Sequence, residues 1–130
     1  NMNQELFRVS LIVGLGGFVG TTARFVFSSL IEKIIPASQF PLGTLTVNVI
    51  GCFLIGIVAG FSVDRISSDS TLFFFITVGL LGGFTTFSAF AYEAQLFFQN
   101  GELFKLSGYI LLQVLIGIAM AFFGYTLFRS

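Results

Sequence analysis

Four stretches without a formal charge set the terms for this chain. Val9–Ala23 holds 15 residues, Ile34–Val63 holds 30, and Ser70–Tyr92 and Leu106–Phe128 hold 23 each. A helix crosses the hydrocarbon core of a bilayer with about 20 consecutive apolar residues. The last three stretches meet that length. The first does so only as a span from about Leu6 to Leu30 that carries Arg24 within or near its end. The other spans are expected at about Gly43–Phe61, Leu72–Phe98 and Leu103–Phe128. Their connectors, Ile31–Leu42 with Pro36 and Pro41, Ser62–Thr71, and Gln99–Glu102, have the polar or helix-breaking character of turns. The sequence therefore predicts an all-α membrane protein: one four-span transmembrane domain over residues 1–130.

Composition excludes the soluble alternative. Charged residues make up 9% of the 130, hydrophobic residues 55%, and the mean hydropathy is +0.98, whereas a globular domain carries about 25% charged residues. Histidine is absent and Cys52 is the sole cysteine, which removes imidazole catalysis, an internal disulfide and a Cys/His zinc site. Six basic and six acidic residues balance, so there is no nucleic-acid signature. Asn1 ahead of Met2 reads as an addition before a start methionine and is set aside.

Basic residues orient membrane proteins by their excess on one side. Four spans put Arg8, Arg65 and Arg129 on one side, and Lys33, Lys105 and a flanking Arg24 on the other. The bias is one residue or none. Either another signal sets direction, or copies insert both ways and pair antiparallel. A 130-residue chain is also small for enclosing a polar pathway alone, so oligomerisation is expected. Gly16/Gly20, Gly56/Gly60 and Gly79/Gly83 are G-x-x-x-G steps that allow close helix approach in lipid.

The third span is expected to break at its centre, in Gly79-Leu80-Leu81-Gly82-Gly83-Phe84-Thr85-Thr86-Phe87-Ser88-Ala89-Phe90. Adjacent glycines followed by two threonines make a poor helix, and backbone groups freed within a membrane need partners. Thr85 and Thr86 hydroxyls could satisfy them. Alternatively, the Gly82–Thr85 carbonyls form a cation cradle shared between two copies, as unwound carbonyls do in transporters. Phe87 and Phe90 share a helical face. With 19 phenylalanines in the chain, such a pair is most simply packing. Its setting among Thr86, Ser88 and glycines suggests another use, because a ring edge is positive and stabilises a small anion without a formal charge.

Polar residues inside spans are costly and mark function or interhelical bonds. Asn48 could donate to an anion or tie two helices, with Thr44 one turn earlier on the same face. Tyr109, Gln113, Gly117 and Met120 form one stripe of span four. Arg24 draws anions to an entrance or snorkels to headgroups. Glu93 is expected at an outer edge or beside a cation. Cys52 reads as a small packing residue.

With Gly-Thr-Leu-Thr-Val-Asn at 43–48, Gly-Gly-Phe-Thr-Thr-Phe-Ser-Ala-Phe at 82–90, Arg24 after a glycine-rich first span and Glu93 behind Phe90, the chain resembles the Fluc/CrcB family of small dual-topology fluoride channels over essentially its whole length. The resemblance implies an antiparallel homodimer in the cell membrane with two pores and a central structural Na+ held by the Gly82 and Thr85 carbonyls of each copy. It makes Phe87 and Phe90 the edge-on rings of the pore and Asn48 part of its polar entrance. Thr86, Ser88, Tyr109 and Gln113 join them along the pore, with Arg24 and Glu93 at a vestibule. Relatives usually carry Ser-Thr-Phe where this chain has Ser88-Ala89-Phe90. The missing hydroxyl bears on the polar track beside the rings and keeps a heterodimer with a paralogue open. The implied activity is passive fluoride export, driven by about 2.3 kcal/mol per charge per 100 mV. The rival reading is a four-span exporter of cationic small molecules, which needs a titratable acid inside a span; span one offers only Glu5 near its start. An enzyme is not expected, since no nucleophile–base pair is visible.

Overall fold

The structure of the chain, a computed structural model, describes residues 1–129. These residues form helices and turns, with no strand among them. Four helices are long and apolar enough to cross a membrane: α1 (Met2–Ile34), α2 (Leu42–Ser62), α3 (Thr71–Gln99) and α4 (Leu103–Phe128). Each begins and ends within a few residues of the expected span. At about 1.5 Å per residue, the 33 residues of α1 extend about 50 Å, so its ends stand beyond a hydrocarbon core of about 30 Å.

Local chemistry sets the boundaries. Ile35 is extended (φ −128°, ψ 106°) because Pro36 disfavours helical backbone in the residue before it. Ser70 caps α3, its hydroxyl accepting from the Phe73 amide at 3.1 Å. α3 ends in a Schellman turn: the Glu102 amide donates to Phe97 O at 2.9 Å and the Gly101 amide to Phe98 O at 3.1 Å. Gly101 supplies the positive φ of 72° that this turn demands. Arg8 lies within reach of Thr71, and Lys105 of Gln39, which marks the two ends of the bundle. Each of these cations also has a carboxylate one turn away, Glu5 and Glu102 respectively.

Packing divides the bundle into two helix pairs. α2 lies along α4, and α1 lies along the first half of α3. Glycines make both contacts close. A Cβ on Gly124 would collide with the Phe53 carbonyl, and one on Gly83 would sit 2.7 Å from the Gly17 carbonyl. The second half of α3 turns to the start of α4, where Phe40, Phe90, Phe97 and Tyr109 form an apolar cluster. The centre of α3 thus passes from one pair to the other.

The break lies one step beyond the glycines. Phe75–Leu81 is wound as π-helix and Gly82–Phe84 as α-helix; only Thr85 (ψ 161°) and Thr86 (φ −152°, ψ 116°) are extended, before α-helix resumes at Phe87. Gly82 and Gly83 therefore do not themselves unwind. Gly83 instead lets α1 approach. A second π-helical stretch, Leu112–Ile116, lies in α4 around Gln113. Such widened turns are rare and recur at functional sites.

Candidate functional site

Two extended residues in a membrane helix free main-chain groups that must bond elsewhere. The threonine hydroxyls satisfy part of the need. Thr85 Oγ1 donates to Leu81 O at 3.0 Å, and Thr86 Oγ1 accepts from the Ala89 amide at 3.1 Å, capping the second half of α3. Asn48 of α2 takes the rest. Its Oδ1 accepts from the Thr86 amide at 2.8 Å and its Nδ2 donates to the Thr86 carbonyl at 3.0 Å. The carboxamide thereby pairs with Thr86 as a neighbouring strand would. Its remaining hydrogen goes to Gln113 Oε1 at 3.1 Å. Of the two roles open to Asn48 in the sequence, the tie between helices is the one these bonds describe, and both of its N–H groups are engaged.

No hydrogen bond among the described residues falls on the Gly82 or Thr85 carbonyl. Thr86, the amide that would reach Gly82 in a continuous helix, donates to Asn48 instead. The Gly83 carbonyl is occupied: Arg24 Nε donates to it at 3.0 Å. Arg24 is therefore fixed to the wall of the break rather than extended to headgroups.

On one side of the break lies a cavity of about 340 Å³, bounded by Asn48, Thr86, Phe87, Phe90 and Gln113 together with Gly82, Thr85 and Thr77. The Phe87 and Phe90 rings meet edge to face, 5.4 Å apart at 75°. Phe90 is 8% exposed and packs edge-on against Tyr109, whereas Phe87 is 77% exposed. Ser88 lies outside this lining; it is exposed and shares a 3.3 Å hydroxyl contact with Thr86.

On the other side, a cavity of about 220 Å³ gathers Arg24, Ser28, Glu32, Thr44, Ala89 and Glu93. Glu93, expected at an outer edge or beside a cation, shares this cavity with Arg24. The carboxylate is half-buried, accepting from the Tyr109 hydroxyl at 2.8 Å and the Thr44 hydroxyl at 3.0 Å, with no ion pair among the described residues. Two hydroxyls from α2 and α4 supply what a cation would have supplied. Tyr109 is accordingly a fully buried strut between Glu93 and the phenylalanine cluster. Ala89 lines this second cavity and not the one beside Phe87 and Phe90, so its missing hydroxyl bears on the second cavity and not on the lining beside the rings. Glu32 and Thr77 went unremarked in the sequence. Glu32 was detectable, since Arg24, Ser28 and Glu32 stand four residues apart on one face. Thr77 offered only a hydroxyl within an apolar run, and it bonds the Phe73 carbonyl at 2.8 Å. In the span-four stripe, Gly117 is a packing position against Cys52.

Four apolar helices around a broken segment, flanked by cavities whose walls mix polar groups with apolar side chains, define a multi-pass membrane protein. The profile described as CrcB-like protein, Camphor Resistance (CrcB), matches residues 11–125. The chain belongs to the CrcB family. A protein of Chlorobium phaeobacteroides is 41% identical over 123 residues, covering 95% of this chain and 94% of the relative. One from Azobacteroides pseudotrichonymphae is 42% identical over 116 residues, 89% and 92% of the two chains. One from Campylobacter lari is 41% identical over 122 residues, 92% and 96%. Each of these three bears the name fluoride-specific ion channel FluC.

Proposed function

We propose that this chain is the protomer of a passive, fluoride-selective channel in the plasma membrane. Its family and the names of its relatives support the ion. The observation that carries the pathway is the pair of phenylalanines lining a largely apolar cavity with a few polar groups at a helix break, where ring edges offer positive potential without a cation. Neutral ligands bind weakly enough to release the ion. Arg24 stands in the second cavity together with Glu32 and Glu93, whose carboxylates offset its charge. Fluoride that enters as the uncharged acid and ionises inside would leave down the membrane potential.

The protein acts as an antiparallel homodimer with two pores. Its accessible surface, 8194 Å², exceeds the roughly 6,800 Å² of a compact 14.2 kDa monomer. The exposed Phe87 leaves the larger cavity open along one flank. Beside it runs an apolar groove of about 420 Å³ lined by Gly56, Ala59, Gly117 and Ala121, small residues that suit a second helix pair. The near absence of charge bias favours opposed copies. A structural Na+ at the interface would be held by the Gly82 and Thr85 carbonyls, which lack hydrogen-bond partners; it would neutralise the dipoles converging at two facing breaks.

Efflux from liposomes tests the function. Fluoride should leave rapidly and chloride slowly; comparable chloride flux would remove the selectivity. Exchange of sodium for N-methylglucamine should lower the melting temperature of the purified protein, and an unchanged melt would remove the cation. The exporter reading predicts proton-coupled transport of a cationic dye, measured in the same liposomes.

A further inference from the structure

We propose that Glu32 governs how fast anions enter the channel: its carboxylate is the charge that makes the second cavity repel an anion where Arg24 alone would attract one. The inference goes beyond the channel reading and rests on it. Arg24, Ser28 and Glu32 follow one another at four-residue steps along one face of α1, and all three line the cavity. At about 1.5 Å per residue, Glu32 stands about 12 Å beyond Arg24, two residues from the end of α1 at Ile34. It is therefore the outermost of the cavity's charges along this helix. Its charge is also unshared: among the described residues it has no ion pair and no hydrogen bond.

The other charged and polar groups nearby are engaged or turned away. Arg24 is pinned, its Nε donating to the Gly83 carbonyl at 3.0 Å. Ser28, between the two, donates its hydroxyl to the Arg24 carbonyl at 2.8 Å and not to Glu32. The Glu93 carboxylate is held by the Tyr109 and Thr44 hydroxyls. Lys33 is exposed and lies outside the lining. One guanidinium and two carboxylates leave the cavity with negative charge in excess, and Glu32 is the member of that set that no neighbour covers. It acts on α2 as well. A Cβ added to Gly43 would lie 3.3 Å from Glu32 Oε1, which places the carboxylate against the first turn of α2. That turn has no acidic residue, and Pro41 before it offers no capping side chain, while the start of a helix attracts negative charge. Glu32 thus occupies, as a tethered anion, the ground where Arg24 and the α2 dipole would otherwise gather fluoride.

Substitution and salt together separate charge from shape. Glu32→Gln keeps the shape and removes the charge; Glu32→Lys reverses it. The readout is the initial rate of fluoride efflux per protein from neutral phosphatidylcholine vesicles at about 0.01 M ionic strength, where screening reaches about 30 Å. Glu32→Gln should conduct about threefold faster than the wild type and Glu32→Lys about tenfold faster. With potassium gluconate at about 1 M on both sides, where screening falls to about 3 Å, both gains should vanish. Glu32→Asp, which keeps the charge, should stay near the wild-type rate in both salts. A purely structural Glu32, holding α1 to α2, would instead shift the melting temperature and give a flux change indifferent to salt. Should Glu32→Gln not fold, Glu32→Lys decides alone. Wild-type or slower flux in these variants at low salt, or a gain that persists at high salt, overturns this inference and leaves the channel standing. Absence of fluoride efflux from the wild-type protein overturns the channel reading itself.

Discussion

Phe87 and Phe90 sit three residues apart on one helix, yet they live in different surroundings. Phe90 is wedged against Tyr109, whereas Phe87 meets the Phe90 ring and is otherwise largely exposed. Replacing either with isoleucine removes a ring edge from the cavity, and fluoride efflux should fall severely in both. The two variants should part company in stability. Phe90→Ile loses packing in the cluster and should cost about 1–3 kcal/mol, read as a lower melting temperature in detergent; Phe87→Ile should stay within about 0.5 kcal/mol. Equal destabilisation would mean that Phe87 is packed in ways the protomer does not reveal. Tyr109→Phe removes the phenol that donates to Glu93 and leaves a half-buried carboxylate with Thr44 alone. It should cost about 1–2 kcal/mol by the same measurement, and an unchanged melt would remove the strut. These polar partners were only partly legible beforehand. Asn48, Tyr109, Gln113 and Glu93 stood out as polar groups in apolar runs, but their pairing depends on how three helices rotate about their axes, which periodicity does not fix.

Helices were the most legible level, because span length and charge placement are set by the bilayer and not by tertiary contacts. The ends of α2 and α4 fall within a residue of expectation, and Pro36 explains where α1 stops. The break in α3 was legible as a region but not to the residue. Glycine carries a low intrinsic helix propensity, yet Gly82 and Gly83 remain helical, with α1 packed against Gly83; Asn48 holds Thr86 extended instead. Close packing at glycines gives a controlled comparison. In Gly124→Ala the new methyl meets the Phe53 carbonyl of α2 and should destabilise the protein by about 1–3 kcal/mol. In Gly14→Ala nothing lies within 4 Å of the new atom, so lower backbone entropy in the unfolded chain should stabilise by about 0.5–1 kcal/mol. Thermal melts of both, side by side, check the assignment of faces.

At the scale of the whole molecule, the larger cavity is a furrow and not a tunnel, since the exposed flank of Phe87 forms one of its edges. A furrow offers an ion no shelter from hydrocarbon, and an unshielded charge there meets a steep barrier. A lone copy in the bilayer should be electrically silent. Under the dimer reading, dilution into excess lipid shifts the balance toward single copies by mass action. Fluoride permeability per vesicle should then rise with the square of protein density at the dilute limit; strict proportionality would show that one copy suffices. The same open edge bears on biogenesis. Newly inserted chains would add no leak until they meet a partner, so a cell could hold unassembled copies in its membrane without dissipating any gradient, and gene dosage would act on conductance as a threshold.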